Sequence, residues 1–145
     1  MYYVNQEQID RRLQFIPVLL EASRALTEAK PFDAVLSRFA LEHTLYLAIE
    51  TVTDLGSLLI DAFMMRDASS YEDIIDILEG EQVFGAVTAR TLRELVQLRR
   101  LLTQEYMDER SQAAETTLFG VLQQLPDALT DFAEAIPAFI NREKI

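Results

Sequence analysis

Apolar residues recur at three- and four-residue spacing along most of this chain, which is the period of an α-helix and not of a strand. A first helix is expected from about Gln6 to Ala29, with Ile9, Leu13, Ile16, Leu20 and Ala25 on one stripe and a kink at Pro17, where a backbone donor is missing. Pro31 suits a first helical turn, and a second helix is expected to run from there to about Met65. Its stripe of Val35, Phe39, Leu45, Ile49, Val52, Leu59 and Phe63 is wide enough for burial on more than one side.

The polar stretch Arg66 to Ser70 breaks the pattern, and Ser70 is placed to cap a short helix from Tyr71 to Leu78, supported by Asp73. Gly80 and Gly85 bracket the next connection. Thr88 is then a candidate cap for a helix from Ala89 to about Asp108, carrying Leu92, Leu95, Val96, Leu98, Leu101 and Leu102. A last helical region from Gln112 to Asn141 is expected to break or bend near Leu125-Pro126 and again near Pro137. With no repeat, low-complexity tract or linker, the pattern predicts a single all-α domain over residues 1–145: an up-and-down bundle of about five helices with short connections.

Composition narrows the class. Half of the residues are hydrophobic and 26% are charged, so the chain can build a core and does not resemble a disordered segment. It has no cysteine, which removes disulfides and thiolate metal sites. The start MYYVNQEQIDRR lacks the basic and apolar regions of a secretion signal, and no apolar run reaches membrane-span length, so a cytoplasmic location without membrane contact is expected. A formal net charge of −11 disfavours general attraction to nucleic acid; DNA is not expected as a partner, and any RNA contact has to be local. Arginines do bunch at Arg90, Arg93, Arg99 and Arg100, and at Arg11 and Arg12, for which solvated helix charge is the favoured reading.

Common catalytic templates are missing. There is no phosphate-binding glycine loop or serine elbow, and the single histidine, His43, excludes a site that needs two. His43 reads as a structural or surface residue in the middle of the second helix. Glu50, Asp54 and Asp61 fall near one face of that helix, but no Glu-x-x-His segment accompanies them as in carboxylate-bridged metal bundles, so a solvated or interface face is favoured and no cofactor is expected.

One segment stands apart: Leu98-Arg99-Arg100-Leu101-Leu102-Thr103-Gln104-Glu105-Tyr106. Arg99, Gln104 and Tyr106 have the spacing of the HepT-like motif, in which an arginine, a polar residue, a short apolar stretch, a histidine, any residue and a tyrosine follow one another. Arg100 stands at the position that is often asparagine, and Glu105 is the residue between Gln104 and Tyr106. The opening MYYVNQEQIDRRLQFI, the stretch LAIETVTDLGSLLIDAFMMRDASSYEDIIDIL and the helix LRELVQLRRLLTQEY also resemble this HEPN-type family, so the likeness spans nearly the whole chain.

The resemblance implies a homodimer whose motifs meet across the subunit interface to form a metal-independent RNA-cleaving cleft. In it, arginine would stabilise charge on the phosphate and histidine would transfer protons. It further implies a minimal nucleotidyltransferase antitoxin as partner, with Tyr106 as the side chain that such a partner would modify. Gln104 breaks the pattern, because an amide lacks the basicity to act as acid or base near neutral pH, and that role is worth roughly 10²–10⁴ in rate. His43 is not expected to replace it.

Two readings stay open. Either the protein is a catalytically degenerate dimer that binds RNA, a nucleotide or a protein through Arg99, Gln104 and Tyr106, with Arg100 and Glu105 nearby, or it is a ribonuclease toxin with altered chemistry. Tyr106 is equally readable as a helix-end aromatic with a wet hydroxyl, and Arg99 as half of an interface salt bridge.

Overall fold

The computed structural model describes residues 3–28 and 34–144 and contains six helical segments among them. These are α1 (Gln6–Glu28), α2 (Ala34–Ala62), α3 (Tyr71–Gly80), α4 (Ala86–Gln97), α5 (Arg99–Thr103) and α6 (Gln112–Glu143). The expected up-and-down bundle is present, with its fourth helix divided into α4 and α5. Ala29 and Pro31, where α1 was expected to end and α2 to begin, lie outside the described residues.

Helix α2 is the axis of the bundle and touches α1, α3, α4, α5 and α6. Its consecutive residues Thr51, Val52 and Thr53 are all buried, so neighbours surround it at that level. Burial of threonine is tolerable because each hydroxyl finds a backbone acceptor one turn back: Thr44 donates to Ala40, Thr51 to Leu47 and Thr53 to Ile49, at 2.7–2.8 Å. On α1 the buried stripe differs in detail from the pattern, running through Ile9, Ile16, Leu19 and Ser23 and leaving Ala25 exposed. The outer turn of α2 likewise leaves Val35 and Phe39 exposed while Leu45 through Leu59 close the core.

Several local expectations are corrected by tertiary packing. The interruption of the last helix expected near Pro126 and Pro137 does not occur, and α6 is continuous through both. An interior proline costs about 3 kcal/mol, whereas burial of one large apolar side chain contributes roughly 1.5–3 kcal/mol, and α6 buries Leu118, Leu122, Leu125, Leu129, Phe132 and Ile136 among others. Burial wins. Helix α4 begins at Ala86 after Gly85, and Thr88 is not its cap; the Thr88 hydroxyl instead donates to Asp131 on α6. Helix α2 stops at Ala62 and not Met65, because Met64 adopts φ 55° and the Met65 N–H reaches back to the Ile60 carbonyl. The same ending closes α3, with Gln82 at φ 62° and the Val83 N–H on the Leu78 carbonyl, so neither Gly80 nor Gly85 supplies the left-handed residue.

The most consequential correction is at the fourth helix, which was expected to continue to Asp108 and ends at Thr103. The Leu98 N–H bonds to the Leu95 carbonyl at 3.1 Å, tightening the chain between α4 and α5. After Thr103, the Glu105 N–H bonds to the Arg100 carbonyl at 3.2 Å and thereby leaves the Leu101 carbonyl without its helical donor. Arg110 takes over that acceptor. Its side chain, only 3% exposed, donates to the Leu101 carbonyl at 3.4 Å and the Glu105 carbonyl at 2.8 Å, and pairs with Glu42 on α2 at 3.1 Å. Arg38 holds the other side of the same carboxylate at 2.8 Å. Burial pushes the Glu42 carboxyl up, but hydrogen bonds and charge from Arg38 and Arg110 outweigh it and hold Glu42 below the usual carboxylate range.

Two outcomes follow from this packing. A Cβ at Gly56 would land on the γ-methyl of Ile74 and 3.2 Å from Leu78 Cδ1, so Gly56→Val is expected to lose roughly 1–3 kcal/mol of stability by overpacking the α2–α3 contact, read by urea unfolding. Glu42→Gln is expected to be less stable than wild type by about 1–2 kcal/mol at pH 7. Since the folded pKa is depressed, this contribution is present above the unfolded value of 4.5 and is lost as the pH falls through the folded value. Unfolding series between pH 7 and 3 should therefore show the two proteins converging below pH 4.5, and a constant gap would contradict the assignment.

Candidate functional site

The motif segment lies on α5 and the turn that follows it, at the edge of a shallow cleft between α3 and the α4–α5 junction. Ser70, Tyr71, Glu72, Val96, Gln97, Arg99, Arg100 and Gln104 line this cleft, which has a volume of about 420 Å³. Arg99 and Gln104, read from motif spacing, are thus brought to one surface. Tyr106 is not in that lining; it sits on the turn beyond α5 with 56% of its surface exposed, so it is not the helix-end aromatic that the pattern allowed.

The two arginines of the cleft differ in electrostatic state. Arg100 is solvent-exposed and pairs with Glu105 at 3.1 Å. Arg99 forms no ion pair among the described residues; its guanidinium carbon lies 4.4 Å from the centre of the Tyr71 ring, and its Nε is buried without a hydrogen-bond partner. An interface salt bridge of the kind envisaged for Arg99 would draw its acid from a second subunit. Gln104 is exposed, and its own backbone N–H closes α5 on the Arg100 carbonyl at 2.9 Å.

Local capping fixes the far wall. The Ser70 hydroxyl oxygen accepts the Asp73 N–H at 3.0 Å, starting α3 at Tyr71 as the sequence predicts. The Asp73 carboxylate accepts two bonds from Arg66 at 2.7 Å and the Ser69 N–H at 2.9 Å. Those bonds, the arginine pair foremost, hold Asp73 far below the usual carboxylate range. Further along α3, Arg93 of α4 reaches Asp76 at 2.8 Å and Glu79 at 2.9 Å, so α3 carries ion pairs near both of its ends.

His43 is closer to the motif than its position in α2 indicates. It is exposed, stacks beside Tyr46 with 6.3 Å between ring centres, and lines a separate cleft with Glu42, Leu102 and Thr103. It is not in the lining of the Arg99 cleft. The acidic stripe on α2 is dispersed: Asp54 pairs with Arg12 at 3.1 Å, and no group of three or more potential metal ligands occurs among the described residues. Tyr71, Arg110 and Glu42 were not singled out by sequence reasoning. Ser70 carried a recognisable cap signal that located the start of α3, but nothing local marks Tyr71 as the neighbour of Arg99.

Comparison with known proteins identifies the family and the fold. A family model described as ribonuclease HepT-like matches residues 9–136. The chain is 31% identical over 143 residues to YutE of Bacillus subtilis, named as a candidate RNase, covering 99% of this chain and 94% of the relative. The solved structure of YutE, described as a cytosolic protein of unknown function, superposes with a TM-score of 0.83 over 99% of this chain and 95% of that one. A tri-AMPylated HEPN toxin of Shewanella oneidensis, solved in complex with its MNT antitoxin, shares the fold with a TM-score of 0.77 at 15% identity, over 90% of this chain and 96% of that one. Among the described residues no helix is long and apolar enough to cross a membrane. With a family match over most of its length and a relative aligned nearly end to end, the chain belongs to the HepT-like family.

Proposed function

We propose that this protein is a catalytically degenerate HepT-like dimer of the cytoplasm that binds RNA through the cleft holding Arg99 and Gln104. The observation that carries this reading is the un-neutralised guanidinium of Arg99, laid over Tyr71 in a cleft whose other arginine is already paired. In a chain of formal charge −11, such a cation is a local attractor for a phosphate where the wider surface repels one. Gln104, at the motif's histidine position, can hydrogen-bond a ribose hydroxyl or a phosphate oxygen but cannot carry a proton away. The cleft therefore has the means to hold an RNA backbone and lacks the group that would cut it.

A second reading is favoured by Tyr106. Its exposure on the turn after α5 makes it accessible to a modifying enzyme, as would be required if the protein were a ribonuclease toxin silenced by a nucleotidyltransferase partner. The AMPylated toxin in complex with an antitoxin, which shares this fold, is the precedent for such a pairing.

Mixed-sequence RNA incubated with the purified protein in excess chelator, beside Arg99→Ala and Gln104→His, separates the two. The expected result is binding without cleavage by wild type, binding weakened about tenfold by Arg99→Ala with a shallower salt dependence, and cleavage gained by Gln104→His. Cleavage by wild type that Arg99→Ala abolishes would establish the toxin reading instead. Absence of RNA binding by wild type would overturn both.

A further inference from the structure

We propose that Tyr71 is the positioning residue of the cleft: its ring face holds the Arg99 guanidinium flat, so that the free edge of the guanidinium is presented to a phosphate oxygen pair. This rests on the phosphate-binding reading above and assigns a role to a residue outside the motif.

Three observations support it. First, the guanidinium carbon lies 4.4 Å from the ring centre, a distance at which the ring's negative face attracts a cation. Second, neither an ion pair nor a hydrogen bond at Nε orients Arg99 among the described residues, so the ring is the identifiable restraint on its terminal group. Third, Tyr71 is itself fixed as the first residue of α3, directly after the Ser70 cap and between Arg66 and Asp73, which pair with each other. A guanidinium laid face-on against the ring would keep its outer N–H edge free, which is the edge that recognises phosphate bidentately. An acidic side chain of the same phosphate clamp would have oriented the arginine equally well but would have cancelled its charge. Glu72, which also lines the cleft, opposes an anion, and its neutralisation should strengthen binding.

The test measures Arg99 itself as well as affinity. In ¹⁵N-labelled full-length protein, the Arg99 Nε–Hε resonance is expected to be shifted upfield by the ring and protected from water exchange. Tyr71→Phe should retain both properties, and Tyr71→Leu should lose the upfield shift. A fluorescently labelled single-stranded RNA hexanucleotide should bind Tyr71→Phe within about twofold of wild type and Tyr71→Leu roughly three- to tenfold more weakly. Glu72→Gln should bind more tightly than wild type.

If Tyr71→Leu does not fold, phenylalanines bearing one, two and three ring fluorines at position 71 keep the shape while draining the ring face of charge, and affinity should fall stepwise. Unchanged affinity across that series, or equal losses in Tyr71→Phe and Tyr71→Leu, would overturn the role of the ring. Should the hexanucleotide fail to bind wild type, the RNA reading falls by itself. Inorganic phosphate then decides the positioning role: it must move the Arg99 resonance in wild type and Tyr71→Phe more than in Tyr71→Leu, and equal movement in all three refutes it.

Discussion

A single helix that touches all five others constrains everything else in this bundle. With all five packed on it, α2 cannot rotate to suit one neighbour without exposing residues that face another, so the positions of α1, α3, α4, α5 and α6 are mutually dependent through it. The absence of a side chain at Gly56 sets how closely α3 approaches, and the buried threonines show how α2 carries polar atoms through an apolar centre by returning them to its own backbone. Functional geometry inherits this rigidity. Tyr71 stands on a helix seated against α2, and α5 is linked to α2 through Glu42, so the two walls of the cleft share one reference body.

Helix existence was legible from periodicity because a long amphipathic segment repeats its signal many times. What failed were single-residue inferences that distant contacts overrule. Pro126 and Pro137 carry a local instruction to stop, yet α6 has a buried stripe long enough to outweigh two missing hydrogen bonds. Thr88 looks like a cap in its own neighbourhood, but its hydroxyl bonds to Asp131 on another helix. The run Leu98-Arg99-Arg100-Leu101-Leu102 keeps helical spacing across a point where the helix divides, and the turn that ends α5 is held by Arg110, beyond the end of the pattern.

The site was half legible. Motif spacing brought out Arg99 and Gln104, which do share a cleft, because residues on one short helix and its terminal turn stay near one another in any fold. Tyr106 parted from them when the chain left the helix after Thr103. Tyr71 was illegible for a different reason: its significance is a contact between elements, and a tyrosine in the first turn of an amphipathic helix carries no local sign of what will lie over it. His43 illustrates the same limit in reverse, since its place in mid-α2 concealed that α5 ends beside it.

The tether formed by Arg110 imposes an asymmetry on how this region can vary. Its guanidinium joins the Leu101 and Glu105 carbonyls to α2, and the acceptors it uses are backbone oxygens that every residue type possesses. The turn from Gln104 to Glu109 can therefore change its side chains freely without loosening the knot. It cannot change its number of residues, because one insertion or deletion would carry the guanidinium away from its acceptors. Within this stretch the tether fixes the length of the chain and leaves the identity of most of its links open.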